Sequence, residues 1–229
     1  MAQIGMRERD LAQAYRAGFT PEASDVAGKA VALPSMDPLA VVAPDGAYFI
    51  TSAGAAPEFS RDGRFTLRDG ELRTTGDRPV LGFAPGRPAT LVPLRIDPVD
   101  AALGRASGVE LAPDGTLSYA RAAIDPRSGE RRVERVAAGR LALARFPAGT
   151  QPVRAAAGAV RAPAGVEPHV GVAADGRFPA LATHAREIGR VDLPAAVEKL
   201  SEAYRAFDAL RSANHARGSL DKTTLDLVK

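Results

Sequence analysis

The sequence predicts a mainly β protein with a helix at each end, and three observations support this. The 229 residues include 22 Gly and 18 Pro, which excludes an all-helical chain because both residues interrupt helices. Short apolar runs alternate with turn signals through the middle of the chain, as in antiparallel sheets. The last part repeats apolar residues at helical spacing. We expect an irregular antiparallel β domain inserted between a short N-terminal helix and a long, coiled-coil-like C-terminal helix.

This pattern divides the chain into three segments. Residues 1–39 hold a short helix, expected to end at Gly18, and an extended linker whose prolines disfavour helix before them. Residues 40–182 form the β-rich central domain, and residues 183–229 form the C-terminal helical segment.

The central segment is marked by five Asp-Gly pairs, which favour tight hairpin turns because both residues tolerate positive φ. The pairs are Asp45-Gly46, Asp62-Gly63, Asp69-Gly70, Asp114-Gly115 and Asp175-Gly176. Between them we predict short strands at 39–42, 48–51, 65–67, 80–81, 91–94, 109–111, 117–119, 132–136 and 141–146. No regular spacing relates the pairs, so a solenoid or propeller is not expected.

The C-terminal helix has the clearest pattern. Asp192 is a predicted N-cap, with Pro194 in the first turn. An apolar seam with alternating spacings of four and three residues follows, and it predicts an assembly interface with another helix. The predicted interface residues are Leu193, Val197, Leu200, Tyr204, Phe207, Leu225 and Val228. Packing within the chain's own core is the alternative for a single amphipathic helix.

The sequence offers little for catalysis, metals or cofactors. It has no cysteine, and His169, His184 and His215 stand in no metal-binding arrangement. We therefore predict no catalytic residue, cofactor site or metal site, and no small-molecule substrate. A net charge of +3 without a basic stripe argues against nucleic acid as a partner.

Membrane insertion and a cleaved signal peptide are not expected either. The sequence contains no run of 18 apolar residues, and the first residues are charged without an apolar stretch. A monomeric β-rich binding module with a helical tail, for carbohydrate or another surface, remains the alternative to an assembly subunit. The scarcity of aromatic residues and the absence of Trp disfavour it.

Two stretches resemble the bacterial flagellar rod and hook protein family. The first contains F-S-R-D-G-R-F (59–65), D-G-E-L-R-T-T-G (69–76) and P-V-L-G (79–82), in the family's order and spacing. The second, V-D-L-P-A-A-V-E-K-L-S-E-A-Y-R-A-F-D-A (191–209), is similar to the family's C-terminal helix, with Tyr204 in place of the usual Gln. A weaker match, D-L-A-Q-A-Y-R-A-G-F-T-P-E (10–22), resembles the family's start but lacks its asparagines.

The resemblance implies a structural axial subunit of the flagellar basal-body rod, with the proximal type favoured over the distal type. It implies a helical layer made from both chain ends, self-association with other axial subunits, and export through the flagellar secretion channel. The last helix, if it runs to Val228, would span about 54 Å, but the start would span only about 24 Å. A neighbouring copy, an upstream start or a divergent variant would each explain this difference.

Overall fold

The structure is a computed structural model. It describes residues 2–14, 31–52, 54, 56–87, 89–124, 130–155, 158–189 and 192–227. The chain divides into two compact units, one drawn from both chain ends and the other centred on Val31–Ile188. The mainly β architecture with a short N-terminal and a C-terminal helix is confirmed.

The described residues form three helices and sixteen strands. The helices are α1 (Ala2–Ala12), α2 (Pro98–Ala102) and α3 (Leu193–Leu227). The strands are β1 (Val31–Pro34), β2 (Val41–Val42), β3 (Ala47–Ser52), β4 (Pro57–Ser60), β5 (Phe65–Arg68), β6 (Glu71–Thr74), β7 (Leu81–Phe83), β8 (Leu91–Pro93), β9 (Ala106–Leu111), β10 (Thr116–Ile124), β11 (Arg131–Arg145), β12 (Val153–Arg154), β13 (Val160–Arg161), β14 (His169–Val172), β15 (Ala182–Thr183) and β16 (Ala185–Ile188). Helix α1 ends before Gly18, which lies outside the described residues.

All the strand pairs are antiparallel, and most belong to one ten-stranded sheet. Its main path runs β12-β13-β4-β3-β11-β10-β9, with β14 and β7 also paired to β11 and β8 paired to β7. Three two-stranded sheets complete the unit: β1 with β16, β2 with β15, and β5 with β6. The pairing of β1 with β16 brings the two ends of the β unit side by side.

Strand β11 is the longest element of the β unit, and it corrects the sequence-based expectation of two separate strands at 132–136 and 141–146. It runs without interruption for 15 residues. Residues 131–140 pair with β10, and residues 142–145 pair with β14 and, in part, with β3. The expected break fell at Gly139, which has a φ of 149° and follows Ala138, an extra residue of β11 at the irregularity in its register with β10. Glycine lets the strand bend there and continue.

Only two of the five Asp-Gly pairs close hairpins between successive paired strands. Asp69-Gly70 joins β5 to β6, with φ angles of 51° and 75°, and Asp114-Gly115 joins β9 to β10. The expectation of a hairpin is wrong for Asp45-Gly46, Asp62-Gly63 and Asp175-Gly176, because the strands that flank each of them pair elsewhere. Local turn chemistry predicts a change of direction, but the pairing depends on distant strands.

Two apolar clusters form the core of the β unit. The larger is built around Phe49 and Phe65, whose rings meet edge to face with centroids 5.0 Å apart. The smaller contains Ile50, Phe59 and Phe146 with partly buried neighbours. Successive residues of β3 point to opposite faces of the sheet, so Phe49 and Ile50 serve different clusters. The central strands are therefore buried on both faces.

Candidate assembly surface

Helix α3 begins as its sequence predicts. The Asp192 carboxylate accepts a hydrogen bond from the Ala195 amide at 3.1 Å, and the Asp192 carbonyl accepts one from the Ala196 amide at 2.8 Å. These bonds satisfy amides that a helix start leaves without partners. The predicted N-cap is thus confirmed, and it sets where the candidate surface starts.

Helix α1 packs against the first turns of α3. Ala196 is buried and lies against Met6 and Leu11 of α1. The Tyr204 hydroxyl donates a hydrogen bond to the Glu8 carboxylate, which raises the pKa of Tyr204. The contact is small, because the residue at its centre is an alanine.

The seam residues fall into two groups in this unit. Leu193, Leu200 and Phe207 are half-buried. Val197 and Tyr204 are exposed, at 54% and 42%. Leu225 lies in α3 but its side chain is outside the described residues, as is Val228 altogether. The structure therefore separates the seam into a covered edge and an open edge.

Sequence reasoning missed the small residues of the covered edge. Ala196 and Ala203 occupy it, one position before Val197 and Tyr204 in each heptad. Their seven-residue repeat was visible in the sequence, but the larger apolar side chains seemed the natural contact. Small residues let two helices approach closely, so the alanines suit the side that faces α1.

Most of α3 extends beyond the cover that α1 can provide. The 11 residues of α1 span about 16 Å, and the 35 residues of α3 span about 52 Å. Side chains at 208–215 are all exposed, including Leu210 at 65%. Packing supplies most of a helix's stability in proteins. This part of α3 has no cover in the described chain.

The motif residues of 59–65 lie inside the β unit, at a buried ion pair that sequence reasoning did not foresee. The Arg61 guanidinium donates from Nε to both Glu187 carboxylate oxygens, at 2.9 and 2.8 Å. Both residues are buried, at 5% and 3% exposure. Arg61 also donates to the backbone carbonyls of Ala43, Pro44 and Ala47. No local pattern marks this pair, since 126 residues separate its members.

The neighbouring Asp62-Gly63 acts through close packing rather than through a hairpin. A Cβ on Gly63 would stand 1.8 Å from the Val41 carbonyl oxygen, so only glycine fits. The Asp62 carboxylate accepts hydrogen bonds from the Arg64 backbone amide and guanidinium, and from the Thr75 hydroxyl. Burial alone would raise the pKa of Asp62, but these bonds outweigh it and lower the pKa. The motif holds β2, β5 and the turn after β6 together.

No group of three or more His, Asp or Glu residues with metal-binding geometry occurs among the described residues. His169, His184 and His215 are each exposed and lie in different elements. Within the described residues, no helix combines the length and the apolar character that crossing a bilayer would take.

Comparison with models of known protein families gives no match for the chain, and no curated protein matches it either.

Proposed function

We propose that this chain is a structural axial subunit of the bacterial flagellar basal-body rod. Copies polymerise head to tail into a helical tube that transmits motor torque. Its partners are further copies and other axial subunits, and it is exported through the flagellar secretion channel. The proximal rod is the favoured position. The subunit acts by assembly rather than by catalysis.

The observation that carries this proposal is the topology of the chain. Helices α1 and α3 come from opposite ends of the sequence and share one compact unit, and Val31–Ile188 is inserted between them. The resemblance to the rod and hook family implies this same arrangement, with a terminal helical layer and a separate β domain. The topology was not used in recognising the motifs, so it is independent support.

The positions of the motif residues also support the proposal. Arg61, Gly63 and Phe65 are buried or sterically confined at the centre of the β unit. The Asp69-Gly70 pair closes the β5–β6 hairpin. A stretch that organises the fold in this way is expected to keep its residue types and spacing among proteins of one architecture, and these are the features on which the resemblance rests.

Assembly would act through the surface of α3 that α1 leaves uncovered. This surface comprises the open edge with Val197 and Tyr204, and the exposed residues beyond the reach of α1. Val197, Tyr204 and Leu210 lie exposed on a helix that outruns its partner α1. A neighbouring copy would cover these residues and stabilise the helix along its length, as in a coiled coil. Because the contact joins different surfaces of successive copies, it would not close, and a helical filament results. The β unit would form the outer, stiffer layer.

The test places charge on this uncovered surface of α3, at one residue of the open edge and at one residue beyond the reach of α1. We expect Val197→Asp combined with Leu210→Asp to abolish swimming and to leave basal bodies without complete rods, because two buried carboxylates would oppose helix packing. Both side chains are exposed in the single chain, so its fold should survive. Motility in soft agar and electron microscopy of basal bodies are the measurements.

The matched control is Ala206→Asp combined with Ala209→Asp, which adds the same charge at exposed positions elsewhere on α3. This strain should swim normally. Complete rods in the Val197→Asp, Leu210→Asp strain would contradict the proposal, as would equal loss of swimming in the control.

A further inference from the structure

The β unit carries an apolar groove beside the smaller core cluster. Its volume is about 430 Å³. The lining includes Ile50, Phe59, Leu91, Val166 and Val170. A cavity of about 150 Å³ already holds a small apolar molecule, so the groove has room for roughly two or three aliphatic side chains.

Two charged residues line this groove, and they differ in their partners. Arg161 donates to the Glu58 carboxylate at 2.8 Å, so its charge already has a counter-charge within the chain. Glu167 is exposed and forms no hydrogen bond or ion pair with any described residue. The groove therefore presents an apolar floor with one available negative charge at its rim.

A second uncovered surface lies on the far half of the β10–β11 ribbon, which we call the arm (120–124 with 131–135). Ile124 and Val133 are 67% and 74% exposed and lie on one face of it. The other face carries Arg121, whose guanidinium lies 3.4 Å from the Asp100 carboxylate of α2, and Tyr119, just before the arm on that same face, donates to Asp100 at 2.8 Å. One face of the arm is thus held against α2, and the opposite face is apolar and open.

The open face of the arm carries a single cation without a partner at its end. Arg131 is directly opposite Ile124 in the strand register, so both side chains lie on the open face. The Arg131 side chain is exposed and forms no hydrogen bond or ion pair with any residue in the described ranges. Arg135, further along that face, is already paired with Glu110.

The arm and the groove lie toward opposite ends of β11. Val133 is near its start, and Ala144, which packs in the core cluster beneath the groove, is near its end. Eleven residues of strand separate them, or about 36 Å of extended chain. The two surfaces are thus separate, and a contact between them must join two molecules.

We propose that the arm of one copy docks into the groove of the next. Ile124 and Val133 fill the apolar floor, and Arg131 pairs with Glu167. The two surfaces complement each other in two ways. Exposed apolar side chains of the arm face an apolar groove, and the unpaired charge on each surface has the opposite sign to that on the other. Such a contact joins two different surfaces and does not close, so it builds an open chain of copies. The inference rests on the proposed self-assembly and names a contact in the β layer.

Disulfide trapping tests the docking directly, because the chain contains no cysteine of its own. Full-length Val133→Cys and Val170→Cys proteins are mixed under mild oxidation. Docking predicts a disulfide-linked heterodimer at roughly tenfold the yield of a control mixture, since docking raises the effective concentration of the two thiols. The control mixes Val133→Cys with Met36→Cys, whose position is 97% exposed and outside the groove.

Equal yields in the two mixtures would overturn the proposal. So would efficient homodimer formation by Val170→Cys alone, because that result means that groove faces groove. Binding of an apolar dye in the groove that is unchanged by excess wild-type chain, together with no excess heterodimer, would instead favour the monomeric binding module.

Charge exchange tests the ion pair. Arg131→Glu and Glu167→Arg should each weaken self-association in sedimentation by about fivefold, as expected for an exposed pair made repulsive. The protein with both substitutions should self-associate as strongly as the wild type, because each interface again places opposite charges side by side. Failure of the double variant to recover would overturn the pairing.

The inference and the proposed function can fail separately. If the helix variants stop rod assembly and the trapped heterodimer does not form, the arm–groove contact is wrong and the rod proposal stands. If the heterodimer forms and the helix variants swim normally, the rod proposal is wrong and the contact stands.

Discussion

The two units of this chain differ in how much of their own surface they bury. In the β unit, large side chains such as Phe49, Phe65 and Tyr119 are almost fully enclosed. In the helical unit, the described cluster centres on Ala196, and the side chains at 208–215 lie in the open. Burying a large apolar side chain stabilises a fold by about 1.5–3 kcal/mol, and an alanine contributes far less. The β unit thus buries a large apolar core of its own, whereas the described helical unit buries little and leaves much of α3 uncovered.

The largest expected effect breaks the packing of the β unit. Gly63→Ala should destabilise it by about 3 kcal/mol or more, because the new methyl group would overlap the Val41 carbonyl oxygen. Urea unfolding followed by near-ultraviolet circular dichroism measures the change. Gly5→Ala in α1 is the matched control; its new Cβ would make only an ordinary contact, 3.9 Å from Arg9 Nη1, and the change should stabilise that helix by about 0.5–1 kcal/mol. Small and similar changes in unfolding free energy for Gly63→Ala and Gly5→Ala would contradict the conclusion that the β unit is the more tightly packed of the two units.

The next effect compares a buried ion pair with an exposed one. Glu187→Gln should cost the β unit about 2–4 kcal/mol, because the Arg61 charge would stay buried without a counter-charge. Glu202→Gln removes one ionic contact of Lys199 on α3, where the two side chains are 38% and 51% exposed, and should cost at most about 0.5 kcal/mol. Chemical unfolding of both variants gives the comparison. A Glu187→Gln protein as stable as the wild type would mean that the carbonyls around Arg61 suffice to hold its charge.

A smaller effect appears at alkaline pH. Burial first, and then the hydrogen bond to the Asp100 carboxylate, raise the pKa of Tyr119 above its usual 10.0. A group whose pKa is raised by folding contributes stability below its unfolded pKa and loses it as the pH rises through the folded pKa. The β unit should therefore lose stability above about pH 10, where Tyr119 must ionise.

Tyr119→Phe should remove this alkaline loss and cost about 1 kcal/mol at neutral pH, because Asp100 loses one hydrogen bond. Tyr204→Phe is the control in the helical unit, since Tyr204 is exposed and also donates to a carboxylate. Unfolding midpoints measured from pH 8 to pH 11 separate the two. If the stability of Tyr119→Phe fell between pH 8 and pH 11 as it does in the wild type, another group would be responsible for the alkaline loss of stability.

The smallest expected effect tests whether the stability of the β unit depends on the end of α3. A chain that ends at Phe207 should retain the β unit's unfolding midpoint within about 0.5 kcal/mol, because the removed part of α3 is exposed where it is described. Its helical circular dichroism should fall, and its self-association in sedimentation should weaken. A large loss of β-unit stability in this chain would show that the units depend on each other.

The sequence predicted those features that short stretches determine. Asp192 and Pro194 marked the start of α3, and Asp69-Gly70 marked the β5–β6 hairpin. Each signal lies within a few residues of the structure that it produces. The overall class followed as well, because apolar periodicity changes from alternating to helical between the middle of the chain and its end.

Features that depend on distant partners could not be predicted in the same way. The buried Arg61–Glu187 pair joins β16 to a loop 126 residues earlier, and either residue alone reads as a surface charge. The seam through Val197 and Tyr204 was predicted as one interface with another helix, and the sequence did not show that Ala196 would be the residue buried against α1. The continuity of β11 through Gly139 depends on neighbours on both sides. The residues of a single segment do not show which distant segments it will contact.

The antiparallel pairing of β1 with β16 has a consequence for how such a chain can change over time. Val31 is opposite Ile188, so the backbone enters and leaves the β unit at neighbouring points. Bringing the terminal helices together therefore costs little additional loop-closure entropy, whatever the length of the segment between them. An insertion with adjacent ends can be enlarged, trimmed or exchanged while its host stays intact. The same pair of terminal helices could thus accept inserted modules of many sizes, and exchanging residues 35–184 for a short turn would yield the smallest such chain.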